Sequence, residues 1–141
     1  SFRINYNAFM KKLLILFISL FISFNSFGEW SFVAKGKIDE FYVDFDKLSK
    51  KGGNVYFWQL TNFPSPPYHK GKSEVILQEV NCNPPIKKRE RANYWYESPM
   101  GQGSPITNEG IANLLTNIGP WEYDIPGSIG EELSRVVCLQ M

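Results

Sequence analysis

The chain has 141 residues, 43% hydrophobic and 21% charged, which is enough for one globular domain and too little for two ordinary ones. A disordered tail and a multi-span membrane protein are thereby excluded. The formal charge of +1 comes from 15 basic and 14 acidic side chains. Arg3, Lys11 and Lys12 precede Glu29, so from Glu29 onward the balance turns slightly acidic. Such a surface lacks the phosphate neutralisation that nonspecific nucleic-acid binding requires, and no nucleic-acid partner is expected.

Met10 is followed by Lys11-Lys12, by the nearly unbroken apolar run Leu13 to Phe24, and by Ser26 and Gly28 spaced as the −3 and −1 positions of a cleavage site. This is the three-part pattern of a secretory signal peptide. A helix crossing the hydrocarbon takes about 20 apolar residues, and this run is shorter. The expectation is export with cleavage between Gly28 and Glu29 and no stable membrane insertion afterwards. Residues 1–9 then read as an upstream extension, 10–28 as the signal peptide and 29–141 as the domain. No cysteine stands immediately after the cleavage position, so a lipoprotein anchor is not expected, and the expected destination is the periplasm or the cell surface.

Cys82 and Cys138 are the only cysteines, an even pair in a domain read as exported, and that points to one intramolecular disulfide. Two distant thiols and one histidine, His69, do not make a four-ligand zinc set. No metal or other cofactor is expected.

Trp30 to Lys35 is an apolar and aromatic run that reaches Gly36, and Phe41, Val43 and Phe45 then alternate with Glu40, Tyr42 and Asp44. The two runs read as paired strands of a hairpin. Asp46 is placed to cap a single helical turn through Leu48, with Gly52-Gly53 breaking it before Asn54. Val55 to Leu60 offers apolar groups on both faces, as a central strand does. Pro64, Pro66 and Pro67 make the segment around His69 an extended loop, with the histidine solvated and not catalytic. Ser73 to Cys82 reads as a strand with Ile76, Val80 and Cys82 on one face and Val75 and Leu77 on the other. Past the turn Asn83-Pro84-Pro85, Arg89 to Glu97 is a further strand. Pro99 to Thr107 reads as loop, Ile111, Leu114 and Leu115 as a short helical turn, and Trp121 to Ile125 as a short strand. Ser128 and Glu131 have capping-box spacing, and Ile129, Leu133, Val136 and Val137 share one face of a terminal helix. Cys138 falls off that stripe, so the disulfide is expected at a frayed last turn or just beyond it. Together these give an α+β fold: a single antiparallel β-sheet with the C-terminal α-helix packed on one face and one disulfide.

An enzyme would show a convergent set of reactive groups, yet HExxH, GxSxG and Walker patterns are absent and no cysteine is left over for a nucleophile. Gly101-Gln102-Gly103 is turn chemistry, with no strand before it or helix directly after it to make a phosphate loop. Asp44 and Asp46 end a strand and cap the following turn. The class favoured is a non-enzymatic binding module. Lys87, Lys88, Arg89 and Arg91 form the dense basic run, beside Tyr94, Trp95 and Tyr96. The run and Trp95 are the candidate ligand contacts, suited to an acidic protein segment or a sulfated glycan. A solvated strand edge that discourages further pairing is the competing explanation of the same charges.

With those residues in place, the chain resembles the surface-adhesin protein E family of small exported bacterial proteins. The resemblance rests on Trp30, Tyr42-Val43-Asp44-Phe45-Asp46, Lys50-Lys51-Gly52 leading into Val55-Tyr56-Phe57-Trp58-Gln59-Leu60-Thr61, and Lys72-Ser73 opening a strand toward Cys82. It continues through Pro99-Met100-Gly101-Gln102-Gly103, Trp121, Pro126-Gly127-Ser128 and Val137-Cys138. It implies an antiparallel sheet with a C-terminal helix, tied by a disulfide that maps onto Cys82 and Cys138. It also implies an adhesin that contacts host matrix proteins such as vitronectin or laminin and forms a homodimer. The missing lipidated cysteine departs from the pattern, and a soluble periplasmic accessory or inhibitory domain is the alternative it leaves open.

Overall fold

The computed structural model describes residues 5–22, 29–63, 71–106 and 118–141. Ser26 and Gly28, the proline loop with His69, and the turn expected at Ile111, Leu114 and Leu115 lie outside the described residues. Helix α1, Tyr6–Ile22, includes Lys11-Lys12, and its described side chains are exposed. No helix among the described residues is long and apolar enough to cross a membrane.

The fold is α+β, as expected. Strands β1 (Ser31–Lys35), β2 (Glu40–Val43), β3 (Ser49–Lys51), β4 (Asn54–Asn62), β5 (Ser73–Asn81), β6 (Lys87–Tyr96) and β7 (Glu122–Tyr123) form one antiparallel sheet in the order β1-β2-β4-β5-β6-β7, with β3 also on β4. β4 and β5 are central, where their two-sided apolar pattern belongs. β2 and β3 lie end to end along one edge of β4, separated by a 3-10 turn at Phe45–Lys47.

Two local readings change here. Asp44, not Asp46, caps the 3-10 turn: its Oδ1 accepts from the Asp46 N–H at 3.1 Å. The chain bends once more after this turn, so Ser49 to Lys51 becomes a strand and not an approach to a break. Gly52 and Gly53, at φ of +59° and +80°, then form the tight link of the β3–β4 hairpin, a pair of left-handed positions that glycine takes without steric cost.

The final helix, α2 (Ile129–Leu139), is set by Ser128, whose Oγ accepts from the Glu131 N–H at 3.2 Å. The Glu131 carboxylate reaches the Gly127 N–H at 3.3 Å and completes the N-terminal cap. Leu133 and Val137 enter the core with Val43, Val55, Phe57 and Val80. The helix face that meets the sheet keeps the expected stripe, with Ile129 and Val136 packed against the core, and is wider than it, because Ser134 is fully buried and Cys138 packs against the core. Serine and cysteine at i and i+4 extend the buried face without registering as apolar. Cys138 therefore bonds Cys82 from inside the helix, without fraying, across a Cα–Cα distance of 5.8 Å.

On the opposite face the turn Pro99–Gly101 clasps the sheet. Ser73 Oγ donates to the Ser98 carbonyl at 2.7 Å and accepts from the Gly101 N–H at 2.9 Å, while the Met100 N–H reaches Asn62 Oδ1 at 3.0 Å. The Pro99-Met100-Gly101 motif is thus a lid on the end of the sheet, over Leu60 and Val75.

Breaking the Cys82–Cys138 bond removes the tie between β5 and the last turn of α2. Cys82→Ala with Cys138→Ala should lower stability by about 2–5 kcal/mol in urea unfolding. Nonreducing peptide mapping of the parent should recover both cysteines in one linked fragment.

Candidate functional site

Strand β6 begins two residues earlier than its apolar pattern suggests, so the basic run lies within the strand and its side chains are sorted between two faces. Pairing slips between Leu77↔Ala92 and Gln78↔Glu90, leaving Arg91 as the extra residue of a β-bulge. Lys88, Glu90, Asn93 and Trp95 consequently face the helix side, opposite Val80, Gln78, Ile76 and Glu74. Lys87, Arg89, Arg91 and Tyr94 belong to the outer face. The basic run and Trp95, adjacent in the sequence, are not one surface.

Each basic side chain has a described partner. Lys88 Nζ lies 3.0 Å from Asp124 Oδ1 and donates to the Gly130 carbonyl at 2.9 Å, joining β6 to the turn before α2. Arg89 Nε donates to Glu79 Oε1 at 2.8 Å, and Arg91 Nη1 reaches the same oxygen at 3.4 Å. Asn54 Nδ2 donates to Glu79 Oε2 at 2.8 Å. Burial opposes charge on Glu79, but the hydrogen bonds from Arg89, Asn54 and Tyr56 outweigh it and hold the carboxyl below the usual range. Arg89 and Lys87 also stand over the Trp121 ring, at 4.5 and 5.2 Å from its centroid. Arg91 and Lys51 both approach the Tyr56 ring, at 5.9 Å.

These contacts make the outer face a lattice of half-buried aromatics and cations. Trp58 and Tyr94 meet at 6.2 Å beside Tyr56, and Phe32 packs edge-on against Tyr42 at 5.6 Å toward the β1 edge. Alternation alone could not reveal it: Tyr56 and Trp58 come from β4, Tyr94 from β6, and Trp121 from the segment beyond.

The helix side carries a second feature that the sequence reading missed. α2 covers only part of the sheet, and the remainder forms a groove of about 490 Å³ between Phe41, Phe63 and Trp95 on one side and Ile129 and Leu133 on the other. Trp95 stacks on Phe63 at 5.7 Å and 13°. The floor is polar: Gln59, Thr61 and Gln78 are buried, and Glu74 lies beside them. Burial raises the Glu74 carboxyl to about 7, against the pull of its hydrogen bond from Asn93. Glu90 is raised as well, first by burial and then by Glu122. The signal for this groove was the polar residues at inward positions of β5, Glu74 and Gln78, where an apolar pair would have closed a core. Among the described residues, no group of three or more His, Cys, Asp or Glu side chains could hold a metal ion.

The chain matches the model of the surface-adhesin protein E family over residues 30–139. It belongs to that family. The match takes in β1 through α2 and leaves out α1. No significant match is found among curated proteins or among solved structures. Family membership makes the chain adhesin-like and agrees with an exported or surface location.

Two consequences of this geometry can be measured. Lys88→Met strands the Asp124 carboxylate in a nearly closed position and should cost about 3 kcal/mol, whereas Lys51→Glu, on an exposed strand, should change stability by less than about 0.5 kcal/mol. Chemical unfolding of the two variants checks the contrast.

The second concerns Glu74. With its carboxyl raised from 4.5 to about 7, the folded chain keeps a proton that the unfolded chain has released, so stability falls as pH rises between those values. Glu74→Gln should stabilise the protein by about 1–2 kcal/mol at pH near 8 after solvent screening, with little effect near pH 4. Urea midpoints at the two pH values are the measurement.

Proposed function

We propose that this protein is an exported adhesin-like binding protein whose contact surface is the outer face of the sheet, and that its ligand is a matrix protein of the vitronectin or laminin kind. The observation that carries this is the aromatic and cationic lattice of Tyr56, Trp58, Tyr94, Arg91 and Lys51 on a face that no helix among the described residues covers. Tryptophan, tyrosine and arginine dominate binding energy at protein interfaces, since they bury large area with little loss of side-chain freedom. The cations beside them supply steering toward an acidic partner. Lys87, Arg89 and Arg91 contribute from this face, while Lys88 and Trp95 lie on the other side.

A sulfated glycan would use the same cations with less help from the rings, which makes the aromatic contribution the discriminating measurement. Trp58→Ala should weaken binding to an immobilised matrix protein by about tenfold or more, and Lys51→Glu should slow association with little change in stability. Heparin binding that survives Trp58→Ala but disappears in moderate salt would redirect the assignment to a glycan. Unchanged protein binding in both variants would remove this face from the mechanism. Protease shaving of intact cells separates the adhesin from the periplasmic accessory domain, because only a surface protein is cut.

A further inference from the structure

The groove on the helix side has an uneven complement of hydrogen-bonding groups. Gln78 Nε2 donates to Gln59 Oε1 at 3.5 Å, and Gln59 Nε2 donates to Thr61 Oγ1 at 3.3 Å. This engages the amide donors and leaves Gln78 Oε1 buried without a partner, on a residue only 6% exposed. On the neighbouring strand Asn93 gives its amide N–H groups to Glu74 and Glu90, and its own Oδ1 is likewise buried and unpartnered. Asp39 adds another carboxylate at the rim. Lys88, the cation among the described lining residues, is already held by Asp124 and the Gly130 carbonyl. What the floor offers a ligand is therefore almost entirely acceptors.

A ligand that completes such a site is a donor without acceptors, carries positive charge, and has a flat or apolar part for the Phe63–Trp95 wall. Guanidinium meets all of these conditions: it donates in a planar fork, matches carboxylates bidentately and stacks on aromatic rings. A compact ammonium satisfies the charge but neither the fork nor the plane. The groove volume of about 490 Å³ exceeds one side chain, and a second cavity of about 280 Å³ shares Gln78, Lys88 and Glu90 and leads on toward Glu122. A chain can therefore continue past the first anchor.

We propose that this groove binds an arginine side chain of a cationic peptide segment, with the guanidinium donating to Glu74, Glu90 and Gln78 Oε1. The site is on the opposite face from the surface assigned above, and either can fail without the other.

The test titrates a fluorescein-labelled octa-arginine peptide against the whole purified chain at low ionic strength and pH near 8.5, where Glu74 has released its proton and accepts with both oxygens. Glu74→Gln combined with Glu90→Gln should weaken binding by about tenfold or more, since charge-assisted bidentate contacts are lost while the shape is kept. Glu97→Gln, which removes an exposed carboxylate just past β6, should change it by less than about twofold. Octa-lysine should bind several-fold more weakly than octa-arginine. Equal affinity of parent and double variant, an equal loss in Glu97→Gln, or equal binding of octa-lysine would each overturn the proposal. If the double variant does not fold, Glu90→Gln alone should show a loss of about threefold, and no loss there overturns the assignment as well. Trp58→Ala should leave octa-arginine binding unchanged.

Discussion

One inserted residue in β6 decides what each face of this sheet displays. Strict alternation would place Arg89, Arg91, Asn93 and Trp95 together and send Tyr94 to the other side. The bulge at Arg91 shifts the register by one residue, so both arginines stay with Glu79 while Trp95 crosses to the helix side and Tyr94 joins the outer aromatics. The outer lattice and the inner groove are products of that single slip, and neither could exist in its present form on an unbroken ladder.

Two glutamates in β5 show how far the faces diverge. Glu79 points outward into Arg89, Arg91 and Asn54, and its charge is stabilised despite burial. Glu74 points inward, finds an amide and another carboxylate, and holds its proton to near neutrality. The odd separation of the two positions puts them on opposite sides, and the partners on β6 do the rest. Desolvation acts on both; only the one with cations overcomes it. On the outer face the Glu79 carboxylate is satisfied by its cations and Asn54, whereas the inner groove holds polar groups whose needs the described residues do not meet.

Most of the strands, the pairing of the first two and the central place of Val55 to Leu60 were legible because their apolar alternation is strong and turn residues bound them. The Ser128 cap and the Cys82–Cys138 pairing were legible for the same local and compositional reasons. Less was visible wherever polar atoms did structural work. Ser134 and Cys138 complete the buried helix face, so a stripe scored on hydrocarbon alone is too narrow. Asp44 caps where the spacing favours Asp46, because the turn begins two residues earlier. The candidate contacts suffered most: a bulge has no signature in Arg89-Glu90-Arg91-Ala92, and without it the basic run and Trp95 read as neighbours.

The disulfide spans 56 positions, and within that interval lie β6, the Pro99–Gly101 clasp, β7 and most of α2. A single backbone cut anywhere in this interval would leave two polypeptides still covalently joined, with the helix still moored at the end of β5. For an exported domain that meets a protease, a nick inside the bridge is a scar and not an amputation. The strands before Cys82 have no such insurance, and their continuity depends on the chain itself.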